Sequence, residues 1–264
     1  MANNQEGVLT GRRAVVTGGS KGIGLSIALA LAGAGADVAV SARGQNELEQ
    51  VAGQIRALGR RSLALPCDVT DPAQVERLAT AVLDEWDGVD ILVNNAGAAG
   101  SHKFIDHPDE LWHRLLAINL TGTYYVTKAF VPAMVEQNWG RIINIASIAS
   151  KIGGRYIAAY TASKHGVLGL TRALALELVS SQITVNAICP GYVDTPMTDS
   201  GIVNIASRTK LTEAEARVTL EKTSPQNRLI EPEEVAAVAV LLAQDISKGI
   251  TGQAINVDGG TVMA

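Results

Sequence analysis

The chain has 264 residues, with 26 acidic and 22 basic side chains giving a formal charge of −4, and 47% of its residues are hydrophobic. That length fits one large α/β domain better than two. The acidic balance argues against nucleic acid as a partner, because phosphate neutralisation needs a basic surface, and the apolar content together with 26 glycines excludes an intrinsically disordered chain.

The opening segment, residues 1–7, is polar and carries neither the basic start nor the apolar stretch of a secretory leader. Residues 25–36 form the longest weakly polar run, well short of the roughly 18 apolar residues that a bilayer span needs. The expectation is a soluble, cytoplasmic protein with no membrane partner. Cys67 and Cys189 each lie inside an apolar run, with no CxxC or His-rich segment as partner. They read as buried free thiols of a reducing compartment rather than as a disulfide or a zinc site.

In chain order, strands are predicted at 14–17, 38–41, 62–66, 91–94, 141–146, 184–188 and 254–257. Most are continuous apolar runs instead of polar/apolar alternations, as expected for a parallel sheet covered by helices on both faces. Helical patterns lie between them. Asp71-Pro72, His107-Pro108 and Glu231-Pro232 mark helix starts, since the first turn has no use for the N–H that proline lacks. Residues 197–228 break the alternation with a polar, charge-mixed stretch holding one helical piece around 212–222. Ligands of such sheets bind beyond the carboxyl ends of the strands, so this insertion is expected to be a small lid.

Directly after the first predicted strand comes Thr17-Gly18-Gly19-Ser20-Lys21-Gly22-Ile23-Gly24. A glycine-rich strand-to-helix turn lets the backbone approach a pyrophosphate at a helix N-terminus. The glycines at 18, 22 and 24 follow GxxxGxG, not GxGxxG, so this segment alone leaves open both a nucleotide site and a plain turn.

Further landmarks follow in order: Asp68 after the third strand, Asn94-Asn95-Ala96-Gly97 after the fourth, Ser147 after the fifth, Tyr160 and Lys164 in a YxxxK pair, then Pro190-Gly191. With the glycine turn they make the chain resemble the short-chain dehydrogenase/reductase family over nearly its whole length. The resemblance implies a single-domain, Rossmann-like doubly wound parallel sheet, and within the family it is nearest in character to 3-oxoacyl carrier-protein reductases and polyketide ketoreductases. It further implies a nicotinamide cofactor held by Gly18, Ser20, Lys21, Gly22, Ile23, Gly24, Arg43, Asp68, Val69, Asn95, Ala96, Gly97, Tyr160, Lys164, Pro190, Gly191, Val193 and Thr195. Asp68 would meet the adenine amino group with the Val69 backbone beside it, Asn95 would bond both cofactor and neighbouring backbone, and Val193 would offer backbone groups to the carboxamide.

Charge bears on which cofactor is used. An acid at the end of the second strand would accept from the ribose 2′-OH of NAD, whereas a 2′-phosphate needs a cation. Ala42 stands where alignment with the family would place the acid, Arg43 follows it, and Lys21 sits in the glycine turn. NADP(H) is favoured over NAD(H) on these grounds, against the plainer reading of two solvated surface charges.

Tyr160 and Lys164 are four residues apart, so on a helix they share a face. Reduction of a ketone leaves a developing alkoxide that needs a proton, and a phenol can give it if a nearby ammonium lowers its pKa. The reading makes Tyr160 the acid in reduction and base in oxidation, Lys164 the pKa-lowering cation and ribose partner, and Ser147 the holder of the carbonyl oxygen. Asn119 resembles the family asparagine whose backbone carbonyl anchors a water linking the lysine to solvent. Otherwise it is a mid-helix polar residue in need of some reason. His102, His107 and His113 are spaced by five and six residues, which does not stack ligands on one helical face, and no metal is expected.

Residues 98–101, 148–156 and 192 onward to the lid are the expected substrate walls, many of them small or apolar. Such walls suit a mainly hydrophobic carbonyl compound, and the resemblance implies a ketone or secondary alcohol as substrate, either a 3-oxoacyl compound or a bulky apolar ketone. Arg208, Lys210, Arg217 and Lys222 could receive the phosphate of a CoA or carrier-protein arm, but Glu213, Glu215 and Glu221 interleave with them, as on a balanced solvated face. The stretch around 213–232 also resembles 3-hydroxybutyrate dehydrogenases. Alternatives are an NAD-dependent secondary-alcohol or 3-hydroxy acid dehydrogenase and a nucleotide-binding scaffold without chemistry. The family implies a homotetramer or homodimer built on helices at 119–137 and 160–178.

Overall fold

The computed structural model describes residues 7–263, so the reading of the first segment lies, apart from Gly7, outside the described residues. Seven strands, β1 (Arg13–Thr17), β2 (Asp37–Ala42), β3 (Ser62–Pro66), β4 (Ile91–Asn94), β5 (Gly140–Ile145), β6 (Ile183–Pro190) and β7 (Ala254–Val257), form one sheet in the order β3-β2-β1-β4-β5-β6-β7. All six pairings are parallel, with Val16 opposite Val40 on one side and Val93 on the other. The helices between them are α1 (Gly22–Gly33), α2 (Gln45–Ala57), α3 (Pro72–Trp86), α4 (Asp109–Leu116), α5 (Gly122–Glu136), α6 (Ala158–Leu178), α7 (Pro196–Arg208), α8 (Glu213–Glu221) and α9 (Pro232–Ala243).

The strands read as unbroken apolar runs because neighbouring residues enter two different cores. Ala14, Val16, Val38, Val40 and Val93 pack with Ile27 and Leu31 of α1, Leu48 and Ile55 of α2, and Val235 and Leu242 of α9. Val15, Ala39, Leu92, Ile142 and Val185 face the other way, onto Val75 and Val82 of α3, Phe130 and Met134 of α5, and Leu178 of α6. A doubly covered sheet is the arrangement that such runs require. Cys67 and Cys189 are both buried and free. Among the described residues no helix is long and apolar enough to cross a membrane.

Three local readings change. Pro72 and Pro232 do occupy the first turns of α3 and α9, but Pro108 precedes α4 as its cap residue, at ψ 131°, because proline's fixed φ suits either position. The stretch 197–228 holds two helices, α7 and α8, instead of one. The polar, glycine-containing sequence of α7 hides a narrow apolar stripe, Ile202 and Ile205, that closes a small core with Ala216, Leu220 and Leu229. Asn119 lies in a π-helical turn, Ala117–Thr121, joining α4 to α5, not within an ordinary helix.

The strand order reverses between β1 and β4, whose crossovers run to opposite faces of the sheet. That opens a crevice beyond their carboxyl ends, where the loops after β1, β4, β5 and β6 converge.

Candidate active site

The turn after β1 is shaped by glycines that no other residue could replace without displacement. Gly18 and Gly22 have φ of 63° and 55°. A Cβ on Gly18 would stand 2.8 Å from Asn95 Nδ2, and one on Gly24 would stand 2.3 Å from the Gly18 carbonyl oxygen. The turn is held from beneath by the loop after β4. Asn95 Nδ2 donates to the carbonyls of Thr17 and Gly18, both at 3.0 Å, and the Thr17 hydroxyl accepts from the N–H groups of Asn95 (3.1 Å) and Ala96 (3.2 Å). The Asn95 amide thus supports the turn. Thr17 is a member of this junction that the sequence reading missed; its position as the last residue of β1 was the available signal.

α1 begins with no side chain capping its N-terminus, and Lys21 stands in extended backbone ahead of it. Those N–H donors, with a backbone kept clear of Cβ atoms at Gly18 and Gly24, suit the pyrophosphate of a dinucleotide. The Gly19 N–H donates to the Ser41 carbonyl at 3.1 Å, so the glycine turn meets the end of β2, and Lys21 and Arg43 follow two residues beyond this joint on either side. Both are exposed, and neither forms an ion pair with a described residue. Ala42 closes β2 and leaves no carboxylate there.

Asp68 lies at the end of the loop from β3, where one carboxylate oxygen accepts from the N–H and hydroxyl of Thr70 at 3.0 and 2.8 Å. Asp71 caps α3 through Ala73 and Gln74. Val69 is buried against the start of α5, where a Cβ on Gly122 would come within 2.7 Å of its Cγ2. Pro190 ends β6, Gly191 packs against Asp258, and Thr195 precedes α7, with its Cγ2 3.2 Å from where a Cβ on Gly22 would be. Val193 is buried, and its carbonyl accepts from the hydroxyls of Thr195 (3.3 Å) and Thr198 (2.5 Å). Ser20 and Ile23 are half-buried in the turn. The fold therefore brings the glycine turn and the 190–195 loop to one crevice.

Opposite them, Ser147 follows β5 by two residues, and its hydroxyl accepts from the Ala149 N–H at 3.1 Å, capping a short turn. Tyr160 is the third residue of α6, near enough to the Ser147 side chain for that side chain to bear on its ionisation. Lys164, one turn on, is buried, and its Nζ donates to the Ile145 carbonyl at 2.8 Å. Gly97 leaves room for this group: a Cβ there would lie 3.3 Å from Asn119 Oδ1 and 3.7 Å from Lys164 Nζ. Asn119 is 1% exposed and uses its whole amide. Oδ1 accepts from the Ala98 N–H at 2.8 Å, while Nδ2 donates to the Ala98 carbonyl and to the Ser163 hydroxyl, each at 3.0 Å. Ser163 in turn donates to the Tyr160 carbonyl at 2.7 Å, a link absent from the sequence reading.

The electrostatics differ from the expectation in one respect. Burial raises the Tyr160 hydroxyl above its ordinary value; the nearby Ser147 side chain opposes this, and Tyr192 and Cys189 add to it. Lys164 is not among the causes. Its ammonium is turned to the Ile145 carbonyl, with Nζ 5.8 Å from the Tyr160 ring centroid, and burial takes it down to about 8. Tyr160 is thus held in its protonated form at neutral pH.

The walls are stitched together by hydrogen bonds, His102 N–H to the Tyr156 carbonyl at 2.7 Å and Asn204 Nδ2 to Ser101 Oγ at 3.1 Å. Tyr156, Tyr192 and Met197 are exposed around the opening. His102 and His107 meet ring to ring at 6.0 Å, and among the described residues no group of three or more His, Cys, Asp or Glu is placed to hold a metal ion. On the insertion, Arg217 pairs with Asp194 and Glu221, and Thr212 caps α8 in a capping box closed by Glu215; Arg208, Lys210 and Lys222 form no ion pair with a described residue.

Residues 18–262 match a family model described as enoyl-(acyl carrier protein) reductase. A D-beta-hydroxybutyrate dehydrogenase of Rhizobium meliloti is 39% identical over 252 residues, spanning 94% of this chain and 98% of that protein. A 3-oxoacyl-(acyl-carrier-protein) reductase of Synechocystis sp. is 39% identical over 257 residues, 97% of this chain and 98% of that one. Among solved structures, a variant of actinorhodin polyketide ketoreductase crystallised with NADPH superposes with a TM-score of 0.94 at 39% identity, covering 98% of this chain and 100% of the other.

Proposed function

Given that this chain belongs to the short-chain dehydrogenase/reductase family and is an oxidoreductase of the CH–OH type, we propose that it is an NADP(H)-dependent reductase of a ketone, a 3-oxoacyl compound or a bulky apolar one, with Tyr160 as general acid and base. The observation that carries this reading is the gathering of Ser147 and Tyr160 beside Lys164, which is buried and held to the carbonyl of Ile145 two residues before that serine. Bound there, a nicotinamide supplies or takes the hydride.

The Ser147 hydroxyl holds the carbonyl oxygen and stabilises charge as it develops. Tyr160, kept protonated by burial, gives its proton to that oxygen. Lys164 binds the ribose as a charged donor. The Asn119 carbonyl already accepts from Thr123 Oγ1 at 2.9 Å and has a second lone pair for a water that returns a proton from solvent. Arg43 and Lys21, flanking the joint between β1 and β2 and forming no ion pair with a described residue, receive the 2′-phosphate, and no acid at Ala42 opposes it. The insertion 197–228 serves as the substrate lid, and the apolar rim of Tyr156, Tyr192 and Met197 suits an uncharged ketone or acyl chain.

Assembly as a homodimer or homotetramer belongs to the same reading, with Tyr124 and Val135 of α5 and Leu176 of α6 exposed for it, the last at 82%. Sedimentation as a monomer would refute it. The hydroxybutyrate dehydrogenase relative favours a second reading, oxidation of a 3-hydroxy acid with NAD. Turnover of a ketone panel that includes acetoacetate and acetoacetyl-CoA, with NADPH and NADH in parallel, separates the two: activity confined to NADH and acetoacetate would overturn the first.

A further inference from the structure

The insertion between β6 and α9 has its own small core, so a short set of contacts joins it to the rest of the chain. Its return segment pairs with the loop after β6, Ile230 N–H to the Tyr192 carbonyl and Asp194 N–H to the Ile230 carbonyl, both at 2.8 Å. α7 reaches Ser101 through Asn204. α8 is tied by an ion pair: the Arg217 guanidinium straddles the Asp194 carboxylate, Nη1 to Oδ1 at 3.2 Å and Nη2 to Oδ2 at 2.5 Å, while its Nε holds Glu221 one turn on at 3.1 Å.

Asp194 stands between Val193 and Thr195, on the loop assigned to the nicotinamide end of the site. We propose that Arg217 is a positioning residue that latches α8 onto this loop, so that closure of the insertion and ordering of the cofactor loop are coupled. The proposal rests on the reading above only for what the loop binds. Arg217 itself touches neither substrate nor cofactor and acts through Asp194. A two-point guanidinium–carboxylate pair fixes orientation as well as distance, which a lysine cannot do. Glu221, on the same helical face, keeps the guanidinium pointed along the helix toward the loop. Arg217 and Asp194 are 38% and 46% exposed, so the pair is screened and individually weak, as suits a contact that must open for substrate to enter and product to leave.

The test compares wild type with Arg217→Gln, Asp194→Asn, Arg217→Lys and Glu221→Gln by amide hydrogen exchange, with and without NADPH. Without nucleotide, Arg217→Gln and Asp194→Asn are expected to speed exchange in residues 213–221 by about threefold or more, with the sheet unchanged. Arg217→Lys should fall between, and Glu221→Gln should be milder than loss of Asp194. With NADPH, protection of 213–221 should rise in wild type and fail to rise in the two disrupted variants. Their KM for NADPH should rise severalfold, with kcat held or raised. Unchanged exchange in 213–221 of both disrupted variants without nucleotide would overturn the latch. So would full NADPH-dependent protection of that helix in both. If NADPH does not bind wild type at all, the functional reading fails instead, and the exchange without nucleotide still decides the latch.

Discussion

Lys164 Nζ donates a 2.8 Å hydrogen bond to the carbonyl oxygen of Ile145, the last residue of β5 and only two before Ser147. One strand end thereby holds the ammonium and presents the serine, while α6 brings Tyr160 to the same place. Sheet and helix each contribute fixed backbone to the centre, and the turn that Ser147 caps joins directly onto the strand end.

The first prediction concerns pH. Burial lowers Lys164 from 10.5 to about 8, so the cost of burying its charge is fully present below pH 8. It is relieved as pH rises from about 8 toward 10.5, because the folded protein gives up this proton before the unfolded chain does. Relative to Lys164→Met, wild type should gain stability across that window in denaturant titrations. Cofactor affinity should run the other way and weaken above pH 8, as a charge-assisted donor becomes a neutral one. Affinity that stays flat from pH 7 to 10 would remove Lys164 as an ionic partner.

Tyr160→Phe removes only a hydroxyl. If that hydroxyl carries the proton, kcat on a turned-over ketone should fall by about 10²–10⁴-fold, the usual worth of general acid catalysis, with cofactor affinity little changed. Near wild-type turnover would exclude the role.

Arg43→Ala should raise KM for NADPH about tenfold or more, as expected when a charge-assisted hydrogen bond to phosphate is lost, and leave KM for NADH within a factor of two. Equal effects on both cofactors would place Arg43 away from the 2′-phosphate.

Gly24→Ala puts a methyl 2.3 Å from the Gly18 carbonyl oxygen and 2.4 Å from Asn95 Nδ2. Overpacking of this kind costs about 1–3 kcal/mol, read as a lower Tm and weaker cofactor binding. Gly33→Ala, at the other end of α1, meets nothing within 4 Å and should leave Tm equal or higher.

Asn119→Ala strands the Ala98 N–H and carbonyl and the Ser163 hydroxyl beside a buried site. Leaving a buried polar group unpaired costs about 1–3 kcal/mol, so denaturant unfolding should move to lower midpoint at unchanged m-value. An unshifted midpoint would mean that water replaces the amide at no loss.

The sequence by itself determined the fold class and the family. Apolar runs such as Ala14 to Thr17 can only be strands covered on both sides, and Gly18, Gly22, Gly24, Ser147, Tyr160 and Lys164 stand at spacings that carry their family. Periodicity and spacing record local backbone needs, which are written residue by residue. What they could not record is which partner a polar group takes once the chain closes on itself. Asn95 reads as bonding cofactor and neighbouring backbone, but only the fold says that this backbone is Thr17 and Gly18, and Asn119, where it reads as mid-helix, stands in a π-helical turn. Lys164 reads as the cation that lowers Tyr160, yet burial governs both groups, because desolvation depends on every atom packed around them and not on the four residues between them. The union of Asp194 with Arg217 joins residues 23 apart across a two-helix insertion, and only the packing of that insertion could decide it.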